Sequence, residues 1–292
     1  MSVREVGRSI VTAATLGSFL LVAACGGGEK GAEGSAVAPQ MLTGAGATFP
    51  YPVYSKWFHA FNLATGHQVN YQSVGSGAGV KQFVENTVDF GATDGPMTDE
   101  EIAAVGGKVL HIPTVIGAVA LTWNLPGVTA LRLDGPAVAD IFQGRITKWN
   151  DPRLVALNPG TTLPNRELIV VHRSDGSGTS FIFTDYLAKV SPAWKSSIGA
   201  GKSVAWPVGL GGKGNEGVTQ QIKQVEGSLG YVELIYAISN SLPSAELKNS
   251  NGDFVVPSLE SVSAAAAGTT FGPDTDFRVS ITDAPGAGAY PI

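Results

Sequence analysis

The chain has 292 residues, 43% of them hydrophobic and 15% charged, which suits one large domain or two medium lobes around a buried core. A formal charge of −5 and a pI near 5.4 argue against nucleic-acid binding through a basic surface. One cysteine excludes an intrachain disulfide and a thiolate zinc cluster, and His59, His67, His111 and His172 stand at no metal-ligand spacing, so neither a metal nor a cofactor is expected.

The first element is an address. Arg4 and Arg8 precede an uncharged, mostly apolar stretch from Ser9 to Ala24. That is short of the roughly 20 residues a membrane span needs, and it reads as a secretory signal over residues 1–24. Its exit, Leu21-Val22-Ala23-Ala24-Cys25, is similar to a bacterial lipobox, in which the cysteine is acylated and becomes the new N-terminus. The plain alternative is an ordinary signal peptide with an incidental cysteine, but the chain's single cysteine falls at the one place where it could be acylated. Residues 25–40, rich in Gly, Ala, Glu and Ser, read as a flexible tether. Removing residues 1–24 deletes two positive charges and one negative, which takes the formal charge from −5 to −6.

From Met41 onward, strand-length apolar runs alternate with segments of helical period. Val53, Trp57, Phe61 and Ala64 predict a helix from about Phe49 to Thr65, with Pro50 and Pro52 in its first turn, where a missing N–H costs little. Gln68 to Ser73 reads as a strand and Val80 to Asn86 as a helix. Val109 to Trp123 is a long apolar run broken by Pro113 and Gly117; it is too interrupted for a single core strand and marks a crossing between lobes. A helix at Pro136 to Gln143, a strand at Leu168 to His172, and helices at Phe181 to Val190, Val218 to Val225 and Leu259 to Ala267 follow. The alternation predicts an α/β fold with largely parallel sheets.

Several catalytic and nucleotide motifs fail on inspection. Gly201-Lys202-Ser203 looks like the end of a phosphate-binding P-loop, but the glycine required five residues earlier is Ser196. Gly44-Ala45-Gly46 opens like a dinucleotide fingerprint, yet Phe49 stands where the third glycine belongs. Neither Ser76 nor Ser177 has a glycine two residues away on both sides, so no hydrolase nucleophile elbow is present.

Four segments share another composition: Gly44 to Phe49, Gly75 to Gly79, Phe90 to Asp94, and Arg173 to Ser180. Each ends an apolar run and leads into a helical pattern. Three are rich in glycine and hydroxyls, and the Phe90 segment supplies an acid. Glycine-led helix entries leave unpaired N–H groups pointing outward, backed by the positive end of the helix dipole, and can hold an anion without a cationic side chain. Thr48, Ser76, Ser177 and Thr179 would add donors, and Arg173 a planar fork that suits a tetrahedral oxyanion. The plain reading of each segment is a helix cap, including for Asp94. Asp175 is expected to pair with Arg173 and orient it, with Gly176 beside it in support. His172 points to the opposite face and reads as a surface or packing residue. The net negative charge does not forbid an anionic ligand, because charges beyond about 8–10 Å are screened while pocket donors act at contact.

At these residues the sequence resembles the phosphate-specific substrate-binding proteins of bacterial ABC transporters, the PstS family. Matching stretches run in order from GAGATFPYPVYSKW (Gly44–Trp57), VNYQSVGSGAGVKQF (Val69–Phe83) and NTVDFGATDGPM (Asn86–Met97) through GRITKWNDP (Gly144–Pro152) and LNPGTTLP (Leu157–Pro164) to RSDGSGTSFIFTDYL (Arg173–Leu187), WPVGLGGKGNEGV (Trp206–Val218) and GSLGYVE (Gly227–Glu233). The resemblance implies a two-lobed periplasmic-binding-protein fold of type II, with lobe one at 41–116 and lobe two at 117–290. It also implies extracytoplasmic binding of inorganic phosphate and its delivery to a membrane permease and ATPase complex, by a monomer that is not an enzyme. The ligand contacts carried over by position are Thr48, Phe49 through its N–H, Ser76, Asp94, Arg173, Ser177, Gly178 and Thr179. Asp94 would accept the proton that phosphate keeps and sulfate lacks. A phosphatase on the same scaffold, a receptor for another oxyanion and a surface-display protein are the alternatives. The expected location is the periplasm or the cell surface, anchored through Cys25. Family members also continue past Tyr290-Pro291-Ile292 through a second inter-lobe strand and helices that complete lobe one, so the resemblance implies a fragment or a truncated product.

Overall fold

Three sheets with helices packed against them carry the alternating pattern. The structure, a computed structural model, describes residues 39–292. The signal, Cys25 and all of the tether before Pro39 lie outside the described residues. Strands β1 (Met41–Gly46), β2 (Gln68–Ser73) and β3 (Phe90–Ala92) form a parallel sheet in the order β2-β1-β3. Parallel neighbours need crossover connections, and α1 (Tyr51–Thr65) and α2 (Ser76–Val84) supply them. The α1 helix opens on Pro50 and Pro52 and stops at Gly66, whose φ of +75° turns the chain out of the helix. Helix α3 (Asp99–Val105) follows, started by a Thr98–Glu101 capping box.

The rest of the chain runs β4 (Val119–Asn124), β5 (Arg132–Leu133), α4 (Gly135–Phe142), α5 (Pro152–Leu157), β6 (Ile169–Arg173), α6 (Gly178–Val190) and α7 (Pro192–Ser197). It continues through β7 (Leu210–Gly212), α8 (Gly214–Gln224), β8 (Ser228–Glu233), α9 (Leu234–Ser239), β9 (Glu246–Lys248), β10 (Phe254–Val255) and α10 (Leu259–Ala267). A four-stranded sheet in the order β4-β8-β6-β7 is parallel except for the β4–β8 pair, and a small sheet orders β10-β9-β5. These pairings bear out the expected α/β class with mostly parallel sheets.

Two expectations change. The run from Val109 to Trp123 is not interrupted throughout: residues 109–118 are irregular, but from Val119 onward the chain is a core strand with five successive buried residues. Both faces of β4 are covered, so it reads as a continuous apolar run and shows no alternation. Helices α2, α6 and α8 begin three or four residues earlier than apolar periodicity places them, at Ser76, Gly178 and Gly214. Glycine and serine in a first turn carry no apolar signal, so the pattern starts late. Those unmarked first turns carry Ser76, Gly178 and Thr179 of the candidate site.

The main core lies around the four-stranded sheet and is dominated by Trp123, Trp149, Trp194, Phe142, Phe183, Tyr186 and Tyr231, all essentially fully buried. The β1–β3 sheet is covered more thinly. Tyr54 is the one buried residue of α1, while Trp57, Phe61 and Leu63 are exposed.

Candidate functional site

In a parallel sheet the carboxyl ends of neighbouring strands point the same way, and the loops that follow them gather at one edge. Here β1 leads through Thr48 and Phe49 into α1, and β2 leads through Gly75 into Ser76, the first residue of α2. Asp94 lies just past β3, Arg173 ends β6, and Ser177-Gly178-Thr179 opens α6. The two sheets face each other across these ends. The Gly77 N–H donates to the Gly176 carbonyl at 2.8 Å, and Lys202 Nζ meets Glu101 Oε2 at 2.9 Å on the rim.

Arg173 is nearly fully buried and lies on its partner as a fork. Its Nε donates to Asp175 Oδ1 at 2.8 Å and its Nη2 to Asp175 Oδ2 at 2.5 Å, and Asp175 Oδ1 also accepts the Gly214 N–H at 3.0 Å. Burial would raise the Asp175 carboxyl, but the hydrogen bonds and charge of Arg173 outweigh it and hold the group below its ordinary value. The expected pairing of Asp175 with Arg173 is therefore present. Arg173 Nη1 reaches Thr179 Oγ1 at 3.4 Å, and the Thr179 hydroxyl donates to Asp94 Oδ2 at 3.2 Å.

Gly178 stands where these groups converge. A Cβ at this position would come within 2.6 Å of both Asp94 Cγ and Ser76 Oγ, so only glycine lets the start of α6 approach the opposite side. Gly178 and Thr179 are the first two residues of α6, whose amides have no intrahelical acceptor. Ser76 Oγ and Asp94 Oδ1 are buried and have no hydrogen-bond partner. Buried polar atoms are almost always paired; two orphans flanking a helix N-terminus make this the candidate place for a ligand's own donors and acceptors. Burial pushes the Asp94 carboxyl up to about 6, against the opposing pull of Arg173 and the Thr179 hydrogen bonds.

The helix-cap reading holds for one residue of the set. Ser177 Oγ accepts the Ser180 N–H at 3.0 Å and caps α6. Thr48 and Ser76 cap nothing: the caps of α1 and α2 are Pro50 and Gly75, with no side-chain bond. Asp94 is not a cap either, because Thr98 starts the helix after it. His172 stacks on Trp206 with centroids 4.9 Å apart, in keeping with a packing role, and burial lowers its imidazole below the ordinary value. The ring of Phe49 lies against Gly117, while its N–H sits at the entry to α1.

Three further residues hold the site and do not stand out in the sequence. Tyr231 OH accepts the Arg173 N–H at 3.2 Å and pairs with Ser180 Oγ at 2.5 Å, tying the end of β6 to the first turn of α6. Asn215, fully buried at the start of α8, reaches Thr48 and Thr179. Glu233 donates its N–H to Asn215 Oδ1 at 2.9 Å and accepts the Ile235 N–H at 2.8 Å. Burial pushes the Glu233 carboxyl up to about 8, the Ile235 hydrogen bond pulling it down and the nearby Asp94 charge adding to the rise. The glycines around Asn215 signal a helix entry of the same kind, but with no hydroxyl in that segment it does not group with the other four. A cavity of about 790 Å³ opens beside the polar cluster, with Asp94, Thr179 and Glu233 on a wall that is otherwise largely apolar. It is far larger than a tetrahedral ion, and the polar cluster beside it is the part with ion-sized spacing between its donors. No group of three or more His, Cys, Asp or Glu side chains among the described residues could hold a metal ion, and none of their helices is long and apolar enough to cross a membrane.

An α/β frame in which two of the three sheets meet at a polar cleft has the form of a binding protein, and residues 32–292 match the model of the PBP superfamily domain. The chain is 49% identical over 255 residues to the phosphate-binding protein PstS of Pasteurella multocida, covering 87% of this chain and 74% of that one. It is 49% identical over 253 residues to PstS of Haemophilus influenzae, covering 86% and 75%. The chain belongs to the PstS family of phosphate-binding proteins. Among solved structures, the phosphate binding protein of Stenotrophomonas maltophilia has a similar fold, with a TM-score of 0.63, 22% identity, and coverage of 86% of this chain and 76% of that one. A high-affinity periplasmic phosphate-binding protein, PfluDING, solved with phosphate, gives a TM-score of 0.64, also at 22% identity, covering 86% and 76%.

Proposed function

We propose that this protein binds inorganic orthophosphate outside the cytoplasm and delivers it to an ABC-type import permease and its ATPase. The observation that carries this reading is the pair of orphaned buried atoms, Ser76 Oγ and Asp94 Oδ1, on either side of the Gly178 approach to the start of α6. Arg173, the hydroxyls of Thr48, Ser76 and Ser177, and the main-chain amides of Phe49, Gly178 and Thr179 supply donors to a tetrahedral oxyanion. Asp94 Oδ1 accepts the proton that phosphate retains near neutral pH. Sulfate has no such proton, and a carboxylate facing a fully deprotonated oxygen is left repelled and unpaired, which can cost on the order of 10⁴-fold in discrimination. The family relationship supports phosphate as the ligand and export as the route.

Residues 41–116 act as one lobe and 117–290 as the other, with closure around the ion bringing the β1–β3 loops onto α6. The exported chain is a monomer held to a membrane surface through acylated Cys25, and it works as a receptor without turnover. Calorimetric titration with phosphate and then with sulfate tests the reading: phosphate binds and sulfate does not. Absence of phosphate binding overturns it, and release of product from a chromogenic phosphate ester overturns the receptor role. Asp94→Asn weakens discrimination against sulfate more than it weakens phosphate binding; continued exclusion of sulfate by that variant counts against the role given to Asp94.

A further inference from the structure

Asn215 makes the one side-chain link from the described residues to both threonines of the cradle. Its Oδ1 accepts the Glu233 N–H at 2.9 Å, which fixes the amide so that Nδ2 faces the hydroxyls. Nδ2 lies 2.7 Å from Thr48 Oγ1 and 3.3 Å from Thr179 Oγ1, and the Asn215 main-chain N–H donates to Thr48 Oγ1 at 3.2 Å.

A hydroxyl has two acceptor lone pairs and one proton. Thr48 Oγ1 accepts from both amide groups of Asn215, so its acceptor capacity is used and its own proton points elsewhere. No described residue accepts that proton. Thr179 Oγ1 accepts from Asn215 Nδ2 and from Arg173 Nη1, and its proton goes to Asp94 Oδ2. We propose that Asn215 is a positioning residue that sets proton direction in the cradle: by filling the acceptor sites of Thr48, and with Arg173 those of Thr179, it makes both hydroxyls donors only. The inference rests on the phosphate reading above.

Under this arrangement a ligand oxygen facing Thr48 accepts and cannot donate to it, and Asp94 Oδ1 is the charged acceptor for the ligand's proton. Hydrogen bonds in such a chain polarise one another in the same sense, so each hydroxyl is also a stronger donor than it is alone. The charged and titratable groups around position 215 are Arg173 at the end of β6 and Asp175 just past it, Asp94 after β3, Glu233 on β8, Lys213 and Glu216 at the start of its own helix, and Tyr236 of α9.

The test is calorimetric titration of the full chain and its Asn215→Asp and Asn215→Ala variants with phosphate and sulfate, from about pH 5 to about pH 9. In Asn215→Asp a carboxylate invites both hydroxyl protons toward position 215, that of Thr48 away from the ligand and that of Thr179 away from Asp94. The phosphate Kd rises on the order of 100-fold at alkaline pH, and the deficit against wild type shrinks as the new carboxyl protonates and regains a donor. In Asn215→Ala each hydroxyl loses one donor, Thr48 keeping only the main-chain N–H of residue 215 and Thr179 only Arg173; the Kd rises about tenfold with the wild-type pH profile, and the phosphate-to-sulfate ratio narrows. Should Ala unfold the chain, as read from its thermal transition, Asn215→Ser takes its place. In a Thr48→Val background, Asn215→Ala costs less than it does alone.

Wild type that binds no phosphate overturns the ligand reading and this inference together. Wild type that binds, with both variants within about twofold of it, or with Asp and Ala losing affinity equally and with one pH profile, overturns the inference alone.

Discussion

The two sheets that meet at the cradle are built on the same local plan and on very different foundations. Each delivers strand ends and glycine-led helix starts to one edge. Behind the four-stranded sheet lie Trp123, Trp149, Phe142, Phe183 and Tyr231, packed without exposure. Behind β1–β3, Trp57, Phe61 and Leu63 of α1 are exposed, as are Leu110, Ile112 and Ile116 beyond α3. The division of chemistry follows that contrast. The buried ion pair, Arg173 with Asp175, stands on the well-packed side, where rigid neighbours can hold both charges in register; burying charges is costly unless geometry is excellent. The thinner side contributes neutral donors, Thr48 and Ser76, and the single acid Asp94. Donors held in place before the ligand arrives need no reorganisation when charge enters.

Four perturbations test that contrast. The largest effect is expected from Arg173→Ala, which removes the cradle's cation and strands Asp175, costing about 3–5 kcal/mol of stability along with phosphate binding. Denaturant unfolding paired with titration checks it; retention of binding would break the division of roles. Phe183→Ala, in the packed core, costs about 3–5 kcal/mol through the cavity it leaves, read from the same unfolding curves.

The third effect is a pH slope. Glu233 rises from an ordinary 4.5 to about 8 and Asp94 from 3.8 to about 6 in the folded chain. For both groups the native state holds a proton that the unfolded chain has already released. Their contribution to stability is therefore fully present below the ordinary carboxylate range and is lost as pH rises, up to about 6 for Asp94 and about 8 for Glu233. The melting temperature is expected to fall between about pH 5 and pH 8, and Glu233→Gln flattens the upper part of that fall. A profile unchanged by the substitution would remove Glu233 from the account. Asp175, held low, acts in the opposite sense and only at pH below its ordinary value. The smallest effect is expected for Leu63→Ser on α1, within about 0.5 kcal/mol of wild type. A loss of core size there would mean that the β1–β3 side is as tightly packed as the other.

Much of the frame is legible locally. Strand β2 and helix α10 fall at Gln68–Ser73 and Leu259–Ala267 as periodicity places them, and Asp175, two residues from Arg173, is close enough to be paired with it on paper. The candidate site residues Thr48, Ser76, Asp94, Arg173, Ser177 and Thr179 all come from four segments that share a composition, although each segment also reads as a helix cap. Strand β4 is not legible in this way, because burial on both faces erases the alternation that reveals a strand.

What remained hidden in the sequence is the company those residues keep. Thr48 and Asn215 are 167 positions apart and Thr179 and Asp94 are 85 apart, so no spacing rule connects them. Composition and periodicity determined the class of fold and the kinds of groups offered to a ligand, since both follow from neighbours a turn or a strand apart. The fold alone decided which hydroxyl protons have somewhere to go and which carboxyls lose their water, because hydrogen-bond direction and desolvation depend on atoms brought together across the whole chain.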